Sequence, residues 1–261
     1  MINLHERLSE FSYGYGVTRE IEALLASVGL NATPFLPSLL HEASLGFDVS
    51  FSSPGTIVML QFKLGYELRR FHRSPPTQPI PLLERPFWRF SVDAAAPQFQ
   101  RLAEFEVAKA QVYYVAPRFS SWAAYDRAFQ KGEILDQSLM LKPSEINRGM
   151  AGVVGVHKVV YDRSRRYVCS EPMPIEEETR ASLLDAVAHS ARDSKRSLED
   201  RISTLLTRET ADQIGGRLSE VRRREIRARA RRPVDANAAI VGLEAWSQGA
   251  QMLFVTAPGE S

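Results

Sequence analysis

The sequence predicts a mixed α/β fold, with α+β as the variant, in which helices flank a central mixed sheet and a helical C-terminal region follows. Before Pro174, segments with helical spacing of apolar residues alternate with short runs of β-branched and aromatic residues. After Pro174 the chain is dense in charge and nearly free of strand signals. We therefore expect an α/β domain over residues 1–173 and a helical, arginine-rich region over 174–261.

The first third of the chain carries one helical pattern and two short apolar runs. Apolar residues at helical spacing predict a helix over residues 19–29, with Thr18 as its N-cap and Gly29 at its C-terminal stop. Two apolar runs follow, over residues 46–51 and 56–64, and the turn signal Ser-Ser-Pro-Gly separates them. The pair of runs predicts a β-hairpin.

The rest of the chain carries signals of the same kind. Composition and periodicity predict the following elements: helices over 98–110 and 121–131, and strands over 88–92, 111–116, 153–160, 166–168 and 251–256. Trp122, Tyr125 and Phe129 are interpreted as a helical core stripe rather than a base-stacking platform. Tyr13 and Tyr15, in SYGYG, are interpreted as part of an ordinary turn.

The bulk properties exclude some classes of protein. No run approaches the roughly 18 apolar residues that a membrane span needs, and the N-terminus has no signal-peptide pattern. Cys169 is the one cysteine, so an intrachain disulfide is excluded and a reducing, cytoplasmic compartment is expected. The formal net charge of +2 is too small to indicate a nucleic-acid partner by itself.

The predicted hairpin places three polar residues on one face. Because side chains alternate along a strand, Asp48, Gln61 and Lys63 would lie opposite the apolar residues that pack inward. Asp48 and Gln61 could then offer oxygen ligands to Mg²⁺ or Mn²⁺. Lys63 could activate a water or neutralise charge on a phosphate. Glu20 or Glu22, on the preceding helix, could add a carboxylate.

The helix with its glutamates, the run Asp48…Gln61–Phe62–Lys63, and the later helix and strand VYYVA resemble the PD-(D/E)XK (restriction-endonuclease-like) superfamily. The resemblance implies an αβββαβ core, Mg²⁺-dependent phosphodiester cleavage and a bacterial defence or restriction setting. It matches Asp48 to the metal-binding aspartate and Lys63 to the lysine. It places Gln61 where the family usually has an acidic residue, which removes a charge from the metal site. The match is carried by residues 46–51 and 57–64.

These signals also have simpler interpretations. Asp48, Gln61 and Lys63 are equally explained as polar residues on the solvent face of an amphipathic hairpin. Glu20 and Glu22 lie in the first turn of the predicted helix, where carboxylates interact favourably with the helix dipole.

A second signal is the arginine-rich segment over residues 217–232. Its eight arginines are offset by Glu220 and Glu225 alone. A solvated helix face is the ordinary interpretation of such a run. The functional interpretation is contact with a nucleic-acid backbone, above all DNA, through four of the arginines: Arg222, Arg223, Arg224 and Arg227. An acidic partner protein, or residues 176–178 of a second copy in a homo-oligomer, would satisfy the same charge.

The sequence therefore predicts Mg²⁺-dependent hydrolysis of DNA. The alternative is a catalytically inactive nuclease-fold scaffold that binds nucleic acid or a partner protein, and the glutamine at Gln61 is its best support. A third hypothesis is a helical interaction protein that works through residues 176–232. The sequence does not determine whether the protein is catalytically active, whether its nucleic acid is DNA or RNA, or which base sequence it prefers. It also leaves the oligomeric state and any activating partner open.

Overall fold

The computed structural model describes residues 8–36, 47, 49–71, 81–169, 172–209 and 218–257. Its mixed content of helices and strands confirms the predicted α/β class. The chain forms two compact units. Unit 1 comprises the residues up to Ile21, Phe62–Phe99 and Tyr113–Arg180. Unit 2 comprises Glu22–Gln61, Gln100–Val112 and Ala181–Ser261. The units are thus built from interleaved segments, whereas the predicted domains over 1–173 and 174–261 follow chain order.

The described residues contain eight helices. They are α1 (Glu10–Ala26), α2 (Pro97–Val107), α3 (Trp122–Lys131), α4 (Pro143–Met150), α5 (Arg180–Ala191), α6 (Leu198–Glu209), α7 (Glu220–Arg229) and α8 (Pro233–Ser247). Four of them follow Pro174, which agrees with the predicted helical C-terminal region. In α3, the Ser121 side chain accepts a hydrogen bond from the Ala124 N–H at 3.2 Å, and Gly132 ends the helix at φ 69°.

The same part of the chain contains ten strands. They are β1 (Asn31–Pro34), β2 (Gly55–Phe62), β3 (Tyr66–Leu68), β4 (Phe87–Asp93), β5 (Gln111–Pro117), β6 (Ser138–Leu141), β7 (Val156–Tyr161), β8 (Arg166–Cys169), β9 (Pro172–Pro174) and β10 (Ala250–Thr256). The predicted strands over 88–92, 111–116, 153–160, 166–168 and 251–256 are confirmed. So are the predicted helices over 98–110 and 121–131.

The strands form two five-stranded sheets. One has the order β1-β10-β2-β5-β6 and the other the order β3-β4-β7-β8-β9. The second sheet is antiparallel throughout. In the first sheet, β10 runs antiparallel to both of its neighbours, and its register with β2 extends from Thr256 opposite Gly55 to Ala250 opposite Gln61. The last strand therefore lies inside the sheet.

The predicted hairpin is wrong. In its first half, Phe47 and residues 49–51 are not in a strand, and the second half, β2, pairs with β10 and β5 instead. Phe47 and Phe51 are buried as side chains of an aromatic cluster, with their rings 5.8 Å and 5.5 Å from that of Phe254. The physical reason is that β2 is buried along almost its whole length, and both of its edges are taken by strands distant in the sequence.

The start of the first helix also differs from the prediction. Helix α1 begins at Glu10, so Thr18 lies inside it rather than at its N-cap, and SYGYG is helical rather than a turn. Tyr13 is fully buried. A Cβ on Gly14 would come within 2.7 Å of the Phe62 ring, so close packing explains this glycine. Among the described residues, no helix is long and apolar enough to cross a membrane.

Candidate functional site

Asp48, the centre of the predicted metal site, lies outside the described residues. Its neighbours in sequence are described. Phe47 packs into the aromatic cluster, and Val49 lines a cleft of about 670 Å³ in unit 2 together with Ser50 and Thr256.

Gln61 lies at the far end of β2 from this cleft. It is buried and stands opposite Ala250, whereas Thr256, which lines the cleft, stands opposite Gly55. Gln61 is six residue steps along the strand from Gly55, a distance of roughly 20 Å. The structure therefore does not bring Gln61 to the cleft that Val49 lines.

Lys63 follows the end of β2 and is half-buried in unit 1. Its backbone N–H donates to the Val115 carbonyl at 3.0 Å, and its Nζ donates to Gln98 Oε1 at 3.3 Å. Burial lowers the pKa of the Lys63 ammonium, and the nearby Glu10 carboxylate partly opposes this effect. A lysine of this kind exchanges a proton closer to neutral pH than a surface lysine does, which is a useful property at a reactive site.

Glu20 has a clear structural role. Its two carboxylate oxygens accept hydrogen bonds from the backbone N–H groups of Ile134 and Leu135, each at 2.8 Å. These bonds hold the chain segment that follows α3 against α1. Glu20 therefore positions the backbone of Ile134 and Leu135. The resemblance would in addition make it a carboxylate of the metal site.

Glu22, further along α1, lines the cleft of unit 2. Burial raises the pKa of its carboxyl group. Polar side chains from three other segments surround the same cleft: Asn31, Thr33, Ser50, Ser53 and Thr256. The cleft can offer a carboxyl group and several hydroxyls to a ligand. Sequence reasoning singled out Glu22 but missed the hydroxyls, because they lie far apart along the chain.

The structure does not test the predicted magnesium site, because Asp48 lies outside the described residues. Across the described ranges, no group of three or more His, Cys, Asp or Glu side chains is placed to hold a metal ion. Gln61 is buried in the sheet. We therefore derive no chemical step through Mg²⁺ or Mn²⁺.

Comparison with protein-family models, with curated proteins and with solved structures finds no match for this chain. The resemblance to the PD-(D/E)XK superfamily consequently rests on the sequence residues that carry it.

Helix α7 presents two different faces in unit 2. The Ser219 side chain caps it by accepting from the Arg222 N–H at 3.2 Å. Its inner face buries Arg223 and Ile226. Arg223 Nη2 donates to a carboxylate oxygen of Glu244, on α8, at 2.7 Å. Arg223, one of the four arginines predicted to contact nucleic acid, is therefore an internal ion-pair partner.

The outer face of α7 carries the other arginines. Arg222 lies 2.9 Å from Glu225, and Arg224 and Arg227 lie 3.6 Å and 3.5 Å from Glu220. Of the five arginines of α7, one is internal, so four arginines and two glutamates remain on the outer surface. The outward-facing charge of the helix is therefore positive.

Proposed function

We propose that this protein binds nucleic acid through the outer arginines of α7: Arg222, Arg224, Arg227 and Arg229. The observation that carries the proposal is the exposed excess of positive charge on this helix. The side chain of Arg224 is 76% exposed, and those of Arg222 and Arg227 are exposed by 42% and 48%. Long side chains at this exposure can reach phosphates without any loss of packing.

The ion pairs on this face do not oppose the proposal. Exposed ion pairs contribute only about 0–1 kcal/mol, because water and salt screen them. A phosphate backbone offers a regular row of negative charges, and its binding releases condensed counterions. Arginine also donates bidentate hydrogen bonds to phosphate. Phosphates can therefore replace Glu220 and Glu225 as partners of these guanidinium groups.

The triple variant Arg224→Ala, Arg227→Ala and Arg229→Ala is expected to bind DNA more weakly. The slope of log affinity against log salt concentration should fall by about 0.9 for each phosphate contact that is lost on duplex DNA. Fluorescence anisotropy with a labelled 20-base-pair duplex, at a series of salt concentrations, measures both quantities.

The matched control is Arg148→Ala. Arg148 is exposed and ion-paired to Glu145 on α4, so its removal takes one positive charge from a different helix. This variant should keep the salt slope of the wild type. An unchanged slope in the triple variant would contradict the proposal, and so would an equal change in the control.

Mg²⁺-dependent hydrolysis of DNA is a second proposal. Its support is Lys63, the residue that the resemblance matches to the family's lysine, because this ammonium is half-buried and its pKa is lowered by burial. Incubation with supercoiled plasmid and Mg²⁺ or Mn²⁺ should give cutting that Asp48→Ala and Lys63→Ala abolish and Arg148→Ala retains. Plasmid that the wild type binds but leaves intact contradicts hydrolysis and favours the inactive scaffold.

A further inference from the structure

Five arginines lie at one end of the second sheet, in unit 1, and we call this cluster the arginine pole: Arg69, Arg70, Arg85, Arg163 and Arg165. Strand β3 ends at Leu68, opposite Phe87, the first residue of β4. The next residue of β4, Trp88, stands opposite Tyr161, the last residue of β7. The segments after β3, before β4 and after β7 therefore leave the sheet at the same end, and these segments carry the five arginines.

The arginine pole is held together by hydrogen bonds as well as by the sheet. Neighbouring strands lie about 4.8 Å apart, so β3, β4 and β7 together span roughly 10 Å. The Glu84 N–H, in the segment before β4, donates to Asp162 Oδ2 at 2.6 Å. Arg165 Nη1, in the turn after β7, donates to the Leu82 carbonyl at 3.1 Å. These two bonds fix the segment before β4 against the turn between β7 and β8.

The guanidinium groups of the arginine pole are accessible. Four of the five arginines are exposed, and Arg165 is half-buried. Among the residues that the structure describes, none of the five forms an ion pair with a carboxylate. The outer face of α7 differs in this respect, because Glu220 and Glu225 pair with three of its arginines.

Three carboxylates of the described residues lie at the same end of the sheet and offset part of the charge. Asp162 is buried, and its oxygens accept hydrogen bonds from backbone N–H groups. Glu67, on β3, accepts a hydrogen bond from the Ser120 hydroxyl at 2.7 Å. Glu84 is exposed in the segment before β4. Five guanidinium groups against three carboxylates leave an excess of positive charge at this end of the sheet.

We propose that the arginine pole is a second surface for the phosphate backbone of nucleic acid, carried by unit 1. The ligand class rests on the proposed function, and the arginine pole adds a contact that does not depend on α7. Guanidinium groups without carboxylate partners can bind phosphate without first breaking an ion pair. Their planar fork of donors also matches two oxygens of one phosphate.

A phosphate backbone suits the arginine pole better than an acidic protein does. Duplex DNA carries one negative charge for about every 1.7 Å of its axis, so several phosphates fall within the roughly 10 Å that the three strands span. Interfaces between proteins have an apolar core that is poor in charge, whereas interfaces with nucleic acid are polar and strongly positive. The large apolar side chains exposed beside the arginine pole, Tyr66 and Leu82, lie singly on β3 and before β4.

The test measures binding of a labelled 20-base-pair duplex by fluorescence anisotropy at a series of salt concentrations. The triple variant Arg69→Ala, Arg70→Ala and Arg163→Ala, which we call the pole variant, should bind more weakly than the wild type. Its slope of log affinity against log salt concentration should fall by about 0.9 for each phosphate contact that is lost. Lysine at the same three positions keeps the charge but not the bidentate geometry, so it should keep most of the slope.

The matched control is the triple variant Arg127→Ala, Lys131→Ala and Arg148→Ala. These residues are exposed on α3 and α4 of unit 1, so the control removes the same total charge from the same unit. It should keep the salt slope of the wild type. Thermal unfolding of every variant separates lost binding from lost folding.

The outcomes distinguish the two proposals. An unchanged slope in the pole variant, or an equal fall in the control, overturns the arginine pole while binding through α7 still stands. A loss in the pole variant, with none when the arginines of α7 are replaced, overturns the role of α7 and supports the arginine pole. A wild type that does not bind the duplex overturns both. If the wild type binds polyglutamate more tightly than the duplex and the pole variant loses that binding, the arginine pole belongs to an acidic protein instead, and the proposal is wrong.

Discussion

Replacing Glu244 with alanine is expected to lower the free energy of unfolding by about 3–5 kcal/mol, the range for breaking a buried ion pair by removing one partner. Glu244 is fully buried in α8, and its Oε1 accepts from Arg223 at 2.7 Å and from the Leu218 N–H at 3.0 Å. The alanine would take the Glu244 carboxylate away from the buried guanidinium of Arg223 and from the Leu218 N–H. Urea unfolding followed by circular dichroism measures the change.

Two further variants sharpen this test. Glu225→Ala breaks the exposed pair with Arg222 on the outer face of α7 and should cost at most about 1 kcal/mol. The double variant Arg223→Met and Glu244→Leu removes both buried charges at once, and such replacements are often neutral or stabilising. It should therefore recover most of the stability that Glu244→Ala loses. A cost for Glu244→Ala no larger than that for Glu225→Ala contradicts the prediction.

Asp162→Ala is expected to lower the free energy of unfolding by about 2–4 kcal/mol, because hydrogen bonds to a charged acceptor contribute about 1.5–3 kcal/mol each and are not additive. Asp162 is 1% exposed and follows β7. Its Oδ1 accepts from the N–H groups of Ser164 and Arg165 at 2.7 Å and 2.6 Å, and its Oδ2 accepts from the Glu84 N–H at 2.6 Å. The carboxylate therefore organises the turn between β7 and β8.

The same site predicts a pH dependence. Burial alone would raise the pKa of Asp162, but the hydrogen bonds outweigh it and hold the pKa below its usual value of 3.8. A lowered pKa in the folded state gives stability that is fully present above pH 3.8 and is lost as the pH falls through the folded value. The difference in stability between the wild type and Asp162→Ala should be constant at neutral pH and shrink in acid.

Urea unfolding at a series of pH values measures this difference. Asp126→Ala, which removes an exposed aspartate from α3, is the control and should follow the wild type throughout. A difference between the wild type and Asp162→Ala that persists unchanged well below pH 3.8 shows that the ionised carboxylate does not provide the stability.

The sequence predicted those parts of the fold that local patterns determine. Strand β5 follows from its β-branched and aromatic residues, and α3 follows from Ser121, its apolar spacing and Gly132. The prediction of a hairpin was wrong because a turn signal indicates where the chain bends but not which strands pair. β2 pairs with β10, although most of the other helices and strands lie between them in the sequence, and no local pattern contains this information.

The candidate site shows the same limit at the level of single side chains. Arg223 and Arg224 are neighbours of identical type, yet one is internal and the other is exposed. Arg223 is internal because it pairs with Glu244 on the following helix. The sequence does not show this pair, because it depends on how α7 packs against α8. Trp122 and Tyr125 likewise share a helical stripe, although only the tyrosine is covered.

The position of β10 has a consequence for how the chain is made. β1 has β10 as its partner in the sheet, and β10 also pairs with β2. The ribosome synthesises β1 before any other strand named here and β10 after all of them. β10 is therefore not available to pair with β1 until the end of β10 has left the exit tunnel. We expect nascent chains that stop short of Ala250 to depend on a chaperone, because they carry a sheet whose inner strand does not yet exist.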